Sequence, residues 1–124
     1  MALFTANVLS LCSGYGGLEL GFALAGFETR TICYVEREAY AAANLAALMQ
    51  TGRVAEAPIW SDLTTFDGHP WRGSVDILTA GFPCQPHSLA GKRRGTTDTR
   101  WIFEDIARIV RECRPSLLLF ENVP

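Results

Sequence analysis

A short apolar run, Val75–Ala80, limits the possible folds of this chain more than any other segment. A run of this kind that is closed by glycine and proline is typical of a strand buried in a parallel sheet. Such a sheet belongs to an α/β domain, in which helices cover both faces. The run stops abruptly at the segment Gly81–Pro86, which contains Cys84. Because ligands of these sheets bind beyond the carboxyl ends of the strands, Cys84 is predicted to stand at the mouth of a site.

Cys84 has both a catalytic and a structural interpretation. Most free cysteines are buried and act as small apolar side chains, and this interpretation is adopted for the other three cysteines. A thiol becomes a nucleophile where polar or positive surroundings favour the thiolate. The neighbours of Cys84 are polar residues and turn formers, and Lys92, Arg93 and Arg94 follow in the same predicted loop. From its position alone, both interpretations of Cys84 stay open.

Composition narrows the classes of function. The 124 residues are enough for one domain or part of one. The formal net charge of −2 provides no global basic surface, so any contact with nucleic acid is expected to be local. The four cysteines form no Cys-x-x-Cys pair and only two histidines accompany them, so neither a metal site nor a disulfide framework is expected. Without an apolar leader or a membrane-spanning run, the expected location is the cytoplasm.

A glycine turn, Ser13–Gly17, follows the first predicted strand, Val8–Leu11, and precedes a predicted helix, Leu18–Ala25. Glycines let the backbone approach a ligand closely, and the helix N-terminus behind them offers free N–H groups. The turn lacks the G-x-G-x-x-G pattern, so pyrophosphate binding is not indicated. The alternative is an ordinary turn between a strand and a helix.

Carboxylates follow the next two predicted strands. The run Thr29–Val35 ends at Glu36, about twenty residues after the glycine turn, where dinucleotide-binding units place the acid that binds ribose hydroxyls. The alternative is that Glu36, Arg37 and Glu38 simply open the next helix, Glu38–Met49, where acids suit the helix dipole. The very short strand candidate Ile59–Ser61 ends at Asp62, which could accept a hydrogen bond from an adenine amino group. For Asp62 the alternative is a turn or a helix cap.

The last third of the sequence predicts a loop, a helix and a strand. The loop covers Ser88–Thr99, and apolar residues recur at helical spacing over Trp101–Cys113. Pro115 stops this helix. The apolar strand Ser116–Phe120 then ends at Glu121.

Polar groups thus recur at the carboxyl ends of successive predicted strands, and a doubly wound parallel sheet brings these ends into one crevice. A thiol, two carboxylates suited to a nucleoside and a third carboxylate fit one chemistry. A thiolate that adds to C6 of cytosine makes C5 nucleophilic, and a carboxyl group at N3 neutralises the charge that develops on the ring. C5 can then take a methyl group from an activated sulfonium, which requires a nucleoside pocket.

In order and spacing, the sequence resembles the first motifs of the DNA cytosine-5 methyltransferases. The matching segments are Leu11–Gly17, Glu36, Asp62, Gly81–Pro86, Gly91–Gly95, Asp98–Arg100 and Glu121–Val123. The resemblance covers nearly the whole chain. It implies a Rossmann-like S-adenosylmethionine-dependent methyltransferase fold, of the α/β class, with a mostly parallel sheet that is incomplete at its C-terminal side.

The resemblance also implies a role for each motif. Cys84 would be the nucleophile, and Glu121 would hold and protonate the cytosine ring at N3. The cofactor would be S-adenosylmethionine, with Glu36 on its ribose and Asp62 on its adenine amino group. The other residues expected at the cofactor are Cys12, Ser13, Gly14, Tyr15, Gly16, Gly17, Arg37, Leu63, Phe82 and Pro83. The residues expected at the DNA are Gln85, Ser88, Lys92, Arg93, Arg94 and Arg100.

Two cofactor positions depart from the family pattern. Cys12 stands where the family places an aromatic residue, and Arg37 stands where a bulky apolar residue is common. The chain ends before the family's arginine motif and its target-recognition region. Residues 1–124 are therefore expected to be the N-terminal part of a catalytic domain that methylates a flipped cytosine in double-stranded DNA together with a C-terminal half. A split enzyme whose second chain recognises the target, and a non-catalytic cofactor-binding remnant, stay open.

The family's strand order predicts one exposed edge. It runs from the Trp60 strand through the Tyr34, Leu11 and Leu78 strands to the last strand, Leu117–Phe120. This last strand is apolar on both faces, which is typical of an inner strand. Because an apolar strand at an edge pairs with other chains, the isolated chain is expected to be inactive and to behave poorly in solution.

Overall fold

The computed structural model describes residues 4–81 and 92–121, with backbone only for residues 92–101. Strands and helices alternate along this part of the chain. The elements are β1 (Ala6–Leu11), α1 (Gly17–Leu24), β2 (Thr29–Val35), α2 (Ala39–Gln50), β3 (Ile59–Trp60), a 3₁₀ turn (His69–Trp71), β4 (Ile77–Gly81), α3 (Lys92–Cys113) and β5 (Leu117–Glu121).

The five described strands are parallel and lie in the order β3-β2-β1-β4-β5, which is the order that the family resemblance implies. The chain first builds outward from β1 through β2 to β3, then returns to the other side of β1 for β4 and β5. The carboxyl ends of the strands consequently share one edge of the sheet. The fold class predicted from the sequence is confirmed.

Successive residues of β1 face opposite layers of the domain. Leu9 and Leu11 belong to a buried cluster with Ile106 and Ile109 of α3. Val8 belongs to a separate cluster on the other face of the sheet, against which Phe22 of α1 packs. Helices therefore cover both faces of β1, as its unbroken apolar sequence requires.

The N-terminal boundary of α3 differs from the prediction. Residues 88–99 were expected to form a loop, yet α3 begins at Lys92. Gly95, Thr96 and Thr97 are weak helix formers, which favoured the loop interpretation. Adding turns to an existing helix avoids the cost of nucleating a new one. The stable amphipathic part of α3 therefore extends through the weaker helix formers at its N-terminal end. None of the described helices is both long enough and apolar enough to cross a lipid bilayer.

Arg108 of α3 fixes the connection between β3 and β4. Its guanidinium donates to the carbonyl oxygens of Leu63 at 2.9 Å and Phe66 at 2.8 Å. It also donates to both carboxylate oxygens of Glu112, at 2.8 and 3.1 Å. Glu112 in turn accepts from the Gly68 N–H at 2.8 Å. Arg108 thus bonds directly to two points of a connection that is distant in sequence, and reaches a third through Glu112.

Strand β5 forms one edge of the described sheet. Its residues Leu117–Phe120 expose 38–54% of their surface. Residues on both of its faces are exposed, since adjacent residues of a strand point to opposite sides. This arrangement matches the exposed edge expected from the strand order.

Candidate active site

The site is built at the edge where the parallel strands end. Neighbouring strands end in register: Leu11 of β1 pairs with Val35 of β2, which pairs with Trp60 of β3. On the other side of β1, Gly81 of β4 pairs with Glu121 of β5. The polar residues that follow these strands are therefore gathered along one line.

The glycine turn adopts a conformation that leaves its outer surface open. Gly14 has φ 57° and Gly16 has φ 79°, both in the left-handed region that favours glycine. A Cβ atom on Gly14 or Gly17 would meet no atom within 4 Å. Gly16 caps α1 without a side-chain hydrogen bond to the helix N-terminus. Backbone N–H groups at this end can therefore serve an anionic ligand group.

Glu36 joins the glycine turn to the start of α2. Its Oε1 accepts from the Gly14 N–H and its Oε2 accepts from the Glu38 N–H, each at 2.7 Å. The alternative, in which Glu36, Arg37 and Glu38 open the helix, holds for Glu38 and not for Glu36. Glu38 is the cap, because its carboxylate accepts from the N–H groups of Tyr40 and Ala41. Glu36 lies ahead of the helix and faces the turn.

An open pocket of about 430 Å³ lies beyond β3. It is lined by Arg37, Ser61, Asp62 and Thr64. Hydrogen bonds from the Thr64 hydroxyl and N–H, at 2.7 and 2.9 Å, hold the pKa of the Asp62 carboxyl below its usual value. Asp62 thus forms the turn foreseen as its alternative role, and it still faces the pocket. Leu63 instead packs against the cluster that contains α3.

Glu121 stands over the end of β4. Its Oε2 lies 3.6 Å from the position that a Cβ atom on Gly81 would take, and the Cys12 carbonyl oxygen lies at the same distance from that position. Gly81 is the residue that leads into residues 82–91. The predictions for Phe82, Pro83, Cys84, Gln85 and Ser88 fall outside the described residues.

The three described cysteines carry neutral thiols. Burial raises the pKa of the Cys12 thiol to about 11, and the nearby Glu36 carboxylate adds to the rise. Burial likewise raises the pKa of Cys33 and of Cys113 to about 11. A neutral thiol is a weak nucleophile. The geometry therefore agrees with the structural interpretation of these three residues.

The basic residues expected at the DNA lie at the start of α3. Because α3 ends close to the start of β5, its N-terminal half lies toward the edge where β4 ends. Its backbone carries the basic residues Lys92, Arg93, Arg94 and Arg100. Lys92, Arg93 and Arg94 are thus on a helix and not in the loop that the sequence predicted.

Sequence reasoning missed several polar residues near this edge. Tyr40, at the start of α2, is 73% exposed and makes an edge-to-face contact with Tyr15 of the glycine turn, with ring centroids 6.5 Å apart. Its alanine-rich surroundings indicated a packing helix and gave no signal of this contact. Glu19 of α1 lies beneath the turn and was read only as part of a helical pattern.

A separate cluster lies beside the 3₁₀ turn. Ligand atoms of Asp67, His69 and Glu112 all lie within 4.8 Å of one another. Asp67 accepts from His69 at 2.7 Å, and the Arg108 guanidinium already occupies both oxygens of Glu112. This arrangement is an ion-pair network that supports the connection onto α3.

Comparisons with known proteins agree with this geometry. Residues 6–124 match the family described as C-5 cytosine-specific DNA methylase. The Type II methyltransferase M.PspPI of Psychrobacter sp. (strain TA137) is 40% identical over 119 residues, which are 94% of this chain and 27% of that protein. The Type II methyltransferase M.AquIA of Picosynechococcus sp. is 36% identical over 121 residues, which are 94% of this chain and 48% of that protein.

Solved structures show the same fold at low sequence identity. The Dnmt2 methyltransferase of S. pombe has a TM-score of 0.64 and 22% identity, covering 95% of this chain and 34% of that one. An S-adenosylmethionine-dependent methyltransferase of Clostridium acetobutylicum has a TM-score of 0.55 and 13% identity, covering 95% of this chain and 42% of that one. The fold is therefore the Rossmann-like methyltransferase fold. Since the family match extends over residues 6–124, the chain belongs to the C-5 cytosine-specific DNA methylase family.

Proposed function

We propose that the protein transfers a methyl group from S-adenosylmethionine to C5 of cytosine in DNA. The observation that carries this proposal is the position of Glu121 over Gly81, because Gly81 leads directly into the segment that contains Cys84. The register of β4 and β5 thereby brings the Glu121 carboxyl group to Gly81, where the segment that contains Cys84 begins. The chain spans 27% of the length of M.PspPI. We therefore assign donor binding and the nucleophile to these residues, and target recognition to residues outside them.

The described residues fit the proposed cofactor. The open glycine turn and the uncapped start of α1 offer N–H groups to the carboxylate of its methionine part. The Glu36 carboxylate, held against Gly14, can accept from ribose hydroxyls, and the pocket beside Arg37 and Asp62 can take adenine. When bound, S-adenosylmethionine supplies a methyl group on a positively charged sulfur.

The reaction is assigned to two side chains. The Cys84 thiolate forms a bond to C6, and the electrons of the C5–C6 double bond make C5 nucleophilic. Glu121 shares its proton with N3 and so neutralises the charge on the ring. After C5 is methylated, loss of the C5 proton restores the double bond and expels the thiolate. C6 is inaccessible in a stacked duplex, so the cytosine must be flipped out.

The basic residues at the start of α3 are proposed to contact DNA phosphates. Gln85 and Ser88, in the segment directly ahead of α3 in the sequence, are proposed to contact the DNA with them. Because the net charge of the chain is −2, a few local contacts must carry the attraction. We therefore expect these residues to give weak binding that is lost at moderate salt.

Covalent trapping of the full-length protein tests the proposal. DNA with 5-fluorocytosine at the target should leave a stable protein–DNA adduct, because fluorine at C5 cannot be removed as a proton. Cys84→Ala should form no adduct, whereas Cys113→Ala, at a buried cysteine in the core, should form as much as the wild type. An adduct with Cys84→Ala, or none with the wild type while the cofactor binds, would refute the assignment.

A further inference from the structure

Glu19 occupies an unusual position for a carboxylic acid. It lies in the first turn of α1, and its Oε2 is 3.9 Å from the position that a Cβ atom on Gly16 would take. The side chain therefore reaches under the glycine turn, on the side of the sheet.

A row of polar residues crosses the sheet at this level. Ser10 of β1 pairs in register with Tyr34 of β2 and with Thr79 of β4, so their side chains share a face. These three residues are 0–1% exposed. Besides the effect of burial, the Ser10 hydroxyl lowers the pKa of the Glu19 carboxyl, and the Glu19 charge raises the pKa of the Tyr34 phenol. Glu19 thus lies against a buried polar row.

Neither carboxylate oxygen of Glu19 has a hydrogen-bond partner among the described residues, and both oxygens are buried. The neighbouring hydroxyls are turned elsewhere: Ser10 donates to Ser13 at 2.9 Å, and Tyr34 donates to the Ala55 carbonyl at 2.9 Å. The Thr79 hydroxyl is likewise buried without a partner. A buried carboxylate without compensation is strongly disfavoured, so it must either hold a proton or face a cation.

The surroundings contain no described cation for this carboxylate. Leu45 of α2 and Val54 are the apolar neighbours of Gly16 on the same side. None of the ion pairs found among residues 4–81 and 92–121 includes Glu19. Burial raises the pKa of Glu19, while the Ser10 hydroxyl and the N–H of Glu19 itself, which lie nearby but outside hydrogen-bond geometry, offset part of the rise. Without a ligand, burial therefore makes this carboxyl group harder to ionise than an exposed glutamate.

The glycine turn above Glu19 is itself electropositive. Its N–H groups and the start of α1 suit an anion, and they disfavour a positive charge. The carboxylate of Glu36 is already shared between two N–H groups. Glu19 is therefore the acid beneath the turn that has no hydrogen-bond partner among the described residues.

We propose that Glu19 is a specificity-determining residue, which favours the cationic sulfonium donor over the neutral thioether product of methyl transfer. This inference rests on the proposed function. When the sulfonium binds at the turn, Glu19 releases its proton and supplies the opposing negative charge. When the methyl group has left, the ligand is neutral and Glu19 takes up a proton again. The neutral product therefore lacks the attraction to the Glu19 carboxylate that the cationic donor has.

Calorimetric titration of the full-length protein tests this without an activity assay. Binding of S-adenosylmethionine and of S-adenosylhomocysteine is measured near neutral pH in two buffers with different ionisation enthalpies. In the wild type, we expect proton release with the donor and little with the product. Glu19→Gln, which keeps the shape but cannot ionise, should lose this difference. Its preference for donor over product should fall by about tenfold, equal to about 1.4 kcal/mol.

Two further variants make the outcome decisive. Glu28→Gln removes an exposed carboxylate beyond α1 and should behave as the wild type. Glu19→Asp keeps an ionisable group and should retain proton release with the donor. Equal proton release and an unchanged preference in Glu19→Gln would overturn the inference while leaving the proposed function intact. If neither ligand binds the folded wild type, the proposed function itself fails.

Discussion

Glu36 provides a sharp test of how the glycine turn is held. The carboxylate is 9% exposed and accepts two N–H hydrogen bonds of 2.7 Å, from Gly14 and Glu38. Hydrogen bonds to a charged group each contribute about 1.5–3 kcal/mol, and a donor that is left buried and unpaired adds its own desolvation cost. Glu36→Ala removes both bonds, so both N–H groups should open to solvent more often.

The magnitude follows from the energy of one bond. A loss of about 1.5–3 kcal/mol per bond corresponds to roughly 10–100-fold faster amide exchange at each donor, if local opening governs exchange. Hydrogen exchange read by mass spectrometry, over peptides that contain the turn and the start of α2, measures this in the full-length protein. The same variant should bind S-adenosylmethionine more weakly, because the carboxylate proposed to meet the ribose is absent.

Two control variants show whether faster exchange is specific to the glycine turn or reflects a general loosening of the domain. Glu56→Gln alters an exposed acid and should leave exchange at the turn unchanged. Glu38→Gln weakens the cap of α2 and should accelerate exchange in the first turn of that helix, at Tyr40 and Ala41. Unchanged exchange at Gly14 in Glu36→Ala would show that the carboxylate does not hold the turn, and the reasoning would be wrong.

Three other perturbations have defined outcomes. Glu121→Gln should slow methylation by about 10²–10⁴-fold with cofactor affinity unchanged, and an equal loss of affinity would place Glu121 at the cofactor. Arg108→Met should lower the free energy of unfolding by about 2–3 kcal/mol near neutral pH, more than Arg111→Met at an exposed site, as measured by urea denaturation. Burial acts to raise the pKa of Glu112, but hydrogen bonds from Gly68 and Arg108 hold it below its usual value. The loss of unfolding free energy in Arg108→Met should therefore persist above a pH of about 4.5 and become smaller as the pH falls further. The isolated 124-residue chain should self-associate through β5, and Leu118→Lys should reduce this on a sizing column; an unchanged elution would exclude β5 as the contact.

The sequence could predict the sheet because its signals are local. Each apolar run ends at a turn former or an acid, and parallel strands of this kind allow few arrangements. The β3 strand, only Ile59–Trp60, was found because Asp62 follows it. The start of α3 was missed because weak helix formers can be carried by a stable neighbouring turn.

The partners of individual side chains could not be predicted, because tertiary contacts choose them. Glu36 and Glu38 are separated by one residue and look alike in sequence, yet one faces the glycine turn and the other caps α2. Arg108 bonds to a carbonyl 42 residues away, which no local pattern reveals. Glu19 appeared to be an ordinary helical acid, and only its burial beneath Gly16 distinguishes it.

The central position of β1 also has a consequence for synthesis. The contact between the glycine turn and Glu36 spans 22 residues, whereas the hydrogen bond between Asn7 and Asp76, where β1 meets β4, spans 69. Contacts close in sequence form with a smaller loss of chain entropy. The side of β1 that we propose to bind the donor can therefore assemble in the nascent chain before Cys84 has been translated. Only the later addition of β4 and β5 brings in the residues that we propose to hold the base.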